Sequence, residues 1–391
     1  KRVLIMNVPM TDPPDEVNGL MIAGFPHMDE EGYTHPFELA ERIQPYDLDD
    51  MQMKLEAGDE DSLLNVYYTS MEQRKRITLD WLTNEPFDLM WVVFTATDRI
   101  QHTFWMFSDP QNPHYDPERA ARYGNAMHDF WVEVDQTLQE ILAAVGPETY
   151  VMMLSDHGFG PLRQDLLVQE YLRRGDGPLD ENEVGSIYCL DKGDASRLYI
   201  TRRGRDPQAP WSPEEALAIR ERLVRELETA RDPVTGDRLV EAVWTSDELF
   251  VGTYAELGPD VVALPSVGNF MVYGDTEAEG GEPYVRPHGP LLSGWHEMNG
   301  IYTLTGPDIR PGRRDREEGR LYSLIDIVPT VLYLLGEPVP MGLDGRVMES
   351  VILPERLERR PPESAPPWDE DYREMTPEEL ENLKNLPYIG G

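Results

Sequence analysis

Aspartate and histidine side chains flank apolar, strand-like segments at three places in the chain. Asp98 and His102 stand four residues apart in "VVFTATDRIQHTFW", which begins as a buried strand. Asp156 and His157 follow another apolar run in "TYVMMLSDHGFG", and His296 in "SGWHEMNG" precedes a third. Carboxylate oxygens and imidazole nitrogens are good ligands for zinc and similar divalent ions. These residues therefore predict a metal site without cysteine, with positions left for water or a phosphate oxygen.

The position of these residues at strand ends indicates that they converge. Open parallel α/β sheets bind their ligands at the carboxyl ends of the strands. Each piece also has a plainer interpretation. Asp98 could cap the helix that follows it, "SDHG" could be a turn, and His296 could be a packed core histidine. The combination of all three, in this order, favours the metal site.

Other polar residues lack this context. Asp326, in "LIDIVPT", is expected to be a buried, hydrogen-bonded carboxylate. Among the other histidines, His288 shares a loop region with His296 but lies outside the "GWH…G" pattern. We expect His27 and His35 to be solvated in a polar loop and His114 to be a loop residue. His128, on a helix, is expected to pack or to face solvent.

The elements that must position these side chains alternate between helix and strand. Residues 2–8 and "FDLMWVVFTAT" read as apolar strands. Helical spacing is present in Ser70–Glu85 and in a long segment from about Pro117 to Val145. Continuous apolar strands separated by helices indicate a mostly parallel sheet covered on both faces. The predicted fold is therefore α/β, as a three-layer α/β/α sandwich.

The sequence pattern changes from about residue 161. Short strands such as "SRLYIT" and "DVVALP" occur there, with an acidic helix from about Pro213 to Ala230. The core pattern returns with "NGIYTLTG" and an apolar helix, Tyr322–Gly336. A Pro- and Glu-rich tail follows. The predicted organisation is a catalytic core from 1–160 and 290–350, an inserted cap or substrate subdomain at 161–289, and an extended tail at 351–391.

The charge and the cysteine content of the chain limit its partners and its covalent cross-links. The 391 residues carry 73 acidic and 35 basic side chains, a formal net charge of −38, which disfavours nucleic acid and anionic membranes as partners. Cys189 is the only cysteine, so no intrachain disulfide can form. Neither a membrane span nor a signal peptide is visible, and we expect a cytoplasmic protein. The predominance of Arg over Lys fits either a salt-adapted source or a GC-rich genome.

The chain resembles the alkaline phosphatase superfamily, and within it the type I phosphodiesterase / nucleotide pyrophosphatase-like branch. The matching stretches are "TATDRIQHTFW", "LSDHGFGP", "SGWHEMNGIYTLTGPDI" and "LIDIVPTVLYLLGEPVPMGLDGRV". The resemblance implies a hydrolase of phosphate esters or nucleotides with two divalent ions, usually zinc and sometimes manganese or iron. By the same resemblance, Asp98, His102 and His296 hold one ion, and Asp156 and His157 contribute to the second.

One part of the family pattern has no match. The family also uses an aspartate and a Thr or Ser nucleophile near its first strand, and neither Thr11 nor Asp12 is expected to replace them. The expectation is therefore that the nucleophile lies upstream of Lys1. Alternatives are a phosphomutase or phosphomonoesterase relative and a catalytically silent metal-binding module. A sulfatase is disfavoured because Cys189 is far from every site motif. The sequence does not determine the substrate or the oligomeric state.

Overall fold

The computed structural model describes most of the chain. The described residues are 1–27, 32–48, 59–174, 177–190, 192–252, 255–266, 270–273, 283–317 and 319–367. The chain divides into two compact units. The first unit comprises Lys1–Arg99, His128–His157 and the described residues from Asn299 onward. The second unit comprises Ile100–Met127 and Gly158–Met298.

Strands and helices are numbered in chain order. The strands are β1 Val3–Val8, β2 Gly19–Ala23, β3 Thr34–His35, β4 Leu89–Val92, β5 Val151–Leu154, β6 Gly158–Pro161, β7 Gln164–Leu167, β8 Ile187–Leu190, β9 Lys192–Gly193, β10 Ser196–Ile200, β11 Val240–Thr245, β12 Val261–Pro265, β13 Phe270–Tyr273, β14 Val285–Pro287, β15 Gly294–Glu297, β16 Tyr302–Thr305, β17 Arg316–Glu317, β18 Arg320–Leu321, β19 Val339–Pro340 and β20 Ser364–Ala365. The helices are α1 Leu39–Arg42, α2 Glu60–Asn84, α3 Ala96–Ser108, α4 Pro117–Tyr123, α5 Ala126–Ala144, α6 Val168–Arg174, α7 Glu181–Val184, α8 Pro213–Thr229, α9 Ser246–Leu249, α10 Ile327–Leu335 and α11 Pro354–Arg359.

A four-stranded sheet in the order β3-β2-β1-β4 forms the centre of the first unit. Strand β1 runs parallel to both β2 and β4, with Ile5 opposite Met21 on one side and Trp91 on the other. Ile77 and Trp81 of α2 are buried in the same cluster as the apolar side chains of β1. The strand predicted at residues 2–8 is thus confirmed as β1. Its apolar side chains are buried because α2 packs against them. The chain as a whole is a mixed α/β protein.

The long helix predicted from Pro117 to Val145 is wrong as a single element. It is two helices, α4 and α5, which are separated by Gly124 and Asn125. Glycine has the lowest helix propensity of any residue except proline. A Cβ atom at Gly124 would also lie 2.6 Å from the carbonyl oxygen of Ala120, so no other residue fits this turn without a shift.

Two other predicted helices have different boundaries. The helix predicted at Ser70–Glu85 begins earlier, because α2 starts at Glu60. The helix predicted at Tyr322–Gly336 is a short 3₁₀ turn, Leu324–Asp326, followed by α10. Asp326 is fully buried and accepts hydrogen bonds from the Arg320 side chain, as expected for a structural carboxylate.

The second unit contains two four-stranded sheets. One has the antiparallel order β11-β12-β10-β8, and the other has the order β14-β7-β13-β9. The acidic helix predicted near Pro213 is confirmed as α8. Ser212 caps its N-terminus through a capping box with Glu215. The apolar face of α8 packs into a cluster with the strands of the antiparallel sheet, including Leu223 and Leu198.

The segment from 351 contains some regular structure. A helix, α11, is followed by β20, which pairs in parallel with β19. Residues 368–391 of the predicted tail lie outside the described residues. Within the described part of the chain, every helix is too short or too polar to cross a bilayer.

Candidate functional site

Asp98 lies in the first turn of α3, directly after the loop that follows β4. This loop is fixed by Asn7 at the end of β1, whose side-chain amide donates to the carbonyl oxygen of Val93 at 3.2 Å and to Thr95 Oγ1 at 3.4 Å. Asn7 is fully buried and adopts a left-handed backbone conformation (φ 64°), which asparagine tolerates better than most residues. Asn7 therefore positions the turn from which Asp98 projects.

Asp156 and His157 follow β5 in the first unit, as predicted. His157 Nε2 lies 3.7 Å from Asp98 Oδ1 and 3.5 Å from Asp156 Oδ2. The Asp98 and His157 side chains are partly buried, whereas that of Asp156 is 80% exposed. The first unit therefore brings its three predicted site residues together, with Asp156 on the solvent side.

The turn that carries Asp156 and His157 is held by the segment before β16. The backbone N–H of Ser155 donates to the carbonyl of Ile301, and the Ile301 N–H donates to Ser155 Oγ at 2.9 Å. A Cβ atom at Gly300 would lie 2.5 Å from Ser155 Oγ, so any other residue would displace the Ser155 hydroxyl. The glycine of the "NG" pair in "SGWHEMNGIY" thus lets the segment before β16 pack closely against Ser155.

His102 and His296 come together in the second unit. His102 is fully buried, and its Nδ1 lies 2.9 Å from the carbonyl oxygen of Gly294. Since a carbonyl only accepts, Nδ1 carries the proton and donates it, which leaves the lone pair of the neutral ring on Nε2. His102 Nε2 lies 3.0 Å from His296 Nε2.

His296 is oriented in the same way, by a residue that the sequence analysis did not identify. Its Nδ1 lies 3.1 Å from Asp194 Oδ1, and its Nε2 faces His102. Hydrogen bonds from the second ring nitrogen to a carboxylate or a backbone carbonyl are typical of metal-binding histidines. Two nitrogens on one tetrahedral zinc lie about 3.3 Å apart, from Zn–N distances of ~2.0–2.1 Å. The observed pair thus fits two ligands of one divalent ion.

Aromatic rings surround the two imidazoles. The Trp295 ring is stacked on His296 (centroids 4.8 Å apart), and Phe159 meets His102 edge to face at 4.7 Å. Glu297, next along β15, shares a small cavity of about 30 Å³ with Asp194 and His296, room for one water molecule. Burial raises the pKa of the Glu297 carboxyl. Neither Glu297 nor Asp194 has a sequence pattern that marks it as part of a site.

The histidines expected to lie outside the site have other surroundings. His128 is exposed on α5, beside Asp129. His114 contacts the backbone carbonyl of His288 through Nε2. The His288 ring is buried and bonded through Nδ1 to Asp165 at 2.6 Å. His128 is thus solvated and His114 lies in a loop, as expected. The expectation for His27 is wrong: its side chain is only 8% exposed and lies beside the Asp12 carboxylate.

Thr11 and Asp12 both contact polar groups in neighbouring segments of the chain. The Thr11 hydroxyl donates to the carbonyl of Val8 at 2.6 Å and accepts from the N–H of Gly24 at 3.0 Å. The Asp12 carboxylate lies 3.7 Å from His27 Nδ1. The hydroxyl of Thr11 thus connects the segments after β1 and β2.

The sequence matches a known protein family over most of its length. Residues 3–291 match the model of the family described as type I phosphodiesterase / nucleotide pyrophosphatase. A search of curated proteins found no match. The matched range contains Asp98, His102, Asp156 and His157, while His296 lies five residues beyond it. The chain therefore belongs to the type I phosphodiesterase / nucleotide pyrophosphatase family, part of the alkaline phosphatase superfamily.

Proposed function

We propose that this protein is a metal-dependent phosphoric ester hydrolase that uses two divalent cations and a Thr or Ser nucleophile. In this proposal Asp98, His102 and His296 hold one ion, and Asp156 and His157 contribute to the second. Zinc is the proposed metal, with manganese or iron as alternatives. Family membership supports an enzyme that acts on phosphate esters or nucleotides.

The observation that carries the proposal is the facing pair of imidazoles in the second unit. His102 Nε2 and His296 Nε2 are 3.0 Å apart. The Nδ1 atom of each ring lies next to an oxygen, the carbonyl of Gly294 for His102 and the carboxylate of Asp194 for His296. The close pair of Asp98 and His157 in the first unit adds a carboxylate and a third imidazole to the donor set. Oxygen and nitrogen donors without cysteine match a catalytic site that keeps open positions.

In this proposal, side chains and backbone of the protein orient the two imidazoles, and the bound cations supply positive charge. Bound divalent cations stabilise the negative charge that develops on the phosphoryl oxygens during in-line displacement. Gly294 and Asp194 hold the two imidazoles in the orientation that ligation requires. Trp295 and Phe159 surround these rings and lower the local dielectric constant, which strengthens every charge interaction there.

The proposal extends to the fold. We propose a three-layer α/β/α sandwich of alkaline phosphatase type, with residues 161–289 as a cap between the core segments 1–160 and 290–350. The parallel pairing of β1 with β2 and β4 supports a sheet of this kind. Substrate selection would then belong to the cap and the catalytic metals to the core.

The test combines metal content with turnover. Bound metal is measured by elemental analysis, and hydrolysis is measured with bis(4-nitrophenyl) phosphate before and after treatment with a chelator. We expect His296→Ala to lower both metal content and turnover, the latter by at least ~100-fold, because one ligand is lost. His128→Ala is the matched control, since its side chain is 76% exposed on α5, and it should behave as wild type.

The outcomes separate the proposal from its alternatives. Full activity in chelator-treated protein would refute a metal-dependent mechanism. Metal that is retained in His296→Ala would refute the ligand assignment. Tight metal binding without hydrolysis of any phosphate ester would instead favour the catalytically silent metal-binding module, an alternative consistent with the structural role of the Thr11 hydroxyl.

A further inference from the structure

A cavity of about 360 Å³ lies in the second unit and is lined by none of the proposed metal ligands. Three of its lining residues form a row across neighbouring strands, because Asp165 of β7 is opposite Met271 of β13 on one side and Arg286 of β14 on the other. Tyr273 and residues 287–292 complete the lining. A largely apolar cavity of this volume is typical of sites that bind small molecules.

His288 presents a firmly held imidazole to this cavity. The residue is only 5% exposed, and its Nδ1 lies 2.6 Å from Asp165 Oδ1. Its backbone N–H donates to the carbonyl of Arg163 at 2.9 Å, and its own carbonyl accepts from His114 Nε2 at 2.6 Å. Both the ring and the backbone of His288 are therefore fixed, as a recognition group requires.

The second ring nitrogen of His288 is available to a ligand. An ionised carboxylate only accepts hydrogen bonds, so Nδ1 carries the proton and the lone pair of the neutral ring lies on Nε2. In the part of the chain that the structure describes, Nε2 has no hydrogen-bond partner. A buried acceptor without a partner is unfavourable, so a molecule in the cavity gains affinity if it donates a hydrogen bond to Nε2.

The charges that line the cavity restrict the kind of donor. Arg286 Nε donates to Asp165 Oδ2 at 3.1 Å, and the guanidinium lies 5.6 Å from the centroid of the Tyr273 ring. An ammonium group in the cavity would be repelled by this guanidinium. A carboxylate has no proton to donate to Nε2. An amide donates, but it brings a carbonyl oxygen that also has to be desolvated. A hydroxyl group donates without either disadvantage.

We propose that this cavity binds a compact, apolar alcohol, whose hydroxyl group donates a hydrogen bond to His288 Nε2. The hydrocarbon part of the ligand would lie against the apolar walls formed by Met271, Leu291 and Leu292. This site goes beyond the proposed hydrolase function and does not depend on it, because none of the proposed metal ligands takes part in it.

The experiment compares three probes that share one hydrocarbon body. Cyclohexylmethanol donates a hydrogen bond, its methyl ether does not, and cyclohexanecarboxylate carries a negative charge. Each probe is titrated into the full chain by isothermal titration calorimetry, in the presence of a chelator so that metal binding does not contribute. We expect the alcohol to bind about tenfold more tightly than the ether, equal to ~1.4 kcal/mol, because only the alcohol can donate to Nε2.

Two variants locate the binding. His288→Phe keeps a planar ring but removes Nε2, so it should abolish the preference for the alcohol over the ether. Leu291→Trp places a large ring at a position that is 55% exposed, where it should weaken both probes by about tenfold without a change in the contact between Asp165 and His288. His128→Phe and Leu217→Trp are the matched controls at exposed positions of α5 and α8, and they should leave binding unchanged.

Each outcome either supports or overturns the proposal. Saturable binding of the alcohol, with the expected effects of both variants, supports it. Absence of saturable binding, equal affinities for alcohol and ether, or binding that Leu291→Trp leaves intact overturns it. Tighter binding of the carboxylate than of the alcohol also overturns it, since the cavity would then be an anion site. If His288→Phe does not fold, the ratio of the alcohol and ether affinities in the wild type and the result for Leu291→Trp decide.

Discussion

The Asp194 carboxylate lies beside the imidazole of His296. Asp194 is half-exposed, and its Oδ1 lies 3.1 Å from His296 Nδ1. A carboxylate in this position fixes the tautomer and raises the basicity of the nitrogen that binds metal. The Nδ1 atom of His102 faces a neutral backbone carbonyl, that of Gly294. If both imidazoles bind metal as proposed, the Nε2 of His296 is therefore expected to be the more basic ligand, because of Asp194.

Replacement of Asp194 by asparagine should weaken metal binding without removing a ligand. An amide oxygen still accepts the hydrogen bond but carries no charge, so we expect affinity for zinc to fall by ~10–100-fold. Competition with a chelating dye measures this affinity. Asp237→Asn, at an exposed turn of the same unit, removes the same charge and should have little effect. Equal losses in both variants would mean that only net charge matters.

The residues of the site were predictable to different degrees. Asp98, His102 and His157 could be identified because each follows an apolar strand at short spacing. Asp194 could not, since its contact with His296 joins distant parts of the chain and an isolated aspartate has no pattern. Asn7 carries one signal, an asparagine at the end of a buried strand, which suits a left-handed turn. That signal is too common to single out a residue.

Among the secondary-structure elements, α8 shows which features can be predicted from the sequence and which cannot. Its start is predictable from Ser212, Pro213 and Glu215, which form a capping box with proline in the first turn. The division between α4 and α5 is less predictable, because one glycine within a helical pattern is usually tolerated. The burial of Glu226 near the end of α8 is not predictable, since glutamates in such helices normally face solvent.

Glu226 should make the stability of the second unit depend on pH. Its side chain is 6% exposed, its Oε2 has no hydrogen-bond partner among the residues that the structure describes, and burial raises the pKa of the carboxyl. An acid whose pKa is higher in the folded state destabilises the fold once pH exceeds the pKa of the unfolded chain. Glu226→Gln should therefore stabilise the protein by roughly 1 kcal/mol at pH 7. The gain should vanish as pH falls through the folded and then the unfolded pKa.

Thermal unfolding between pH 4 and pH 8 measures this effect. Glu228→Gln lies on the exposed side of the same helix and serves as the control for loss of one negative charge. A gain in melting temperature at pH 7 that persists unchanged in acid would show that packing, and not ionisation of Glu226, is responsible. A gain of equal size in Glu228→Gln would assign the effect to the net charge of the molecule.

At the scale of the whole molecule, charge is the dominant property. Acidic residues number 73 and basic residues 35, so even complete pairing would leave 38 carboxylates without a basic partner. Such an excess opposes the compact state by self-repulsion, while individual surface ion pairs contribute little. Screening by salt shortens the reach of this repulsion, from ~10 Å at 0.1 M to ~3 Å at 1 M. Added salt should therefore stabilise this protein.

We expect the melting temperature to rise by about 5 °C between 0.05 M and 1 M NaCl, measured in the presence of chelator so that metal binding does not contribute. Screening depends on ionic strength, so KCl at equal concentration should give the same rise, whereas an effect of ion exclusion would differ between salts. The rise should be steepest below ~0.2 M, where the Debye length changes most. A melting temperature that stays constant or falls over this range would mean that favourable ion pairs, such as Arg202 with Asp260, outweigh the repulsion among the excess carboxylates.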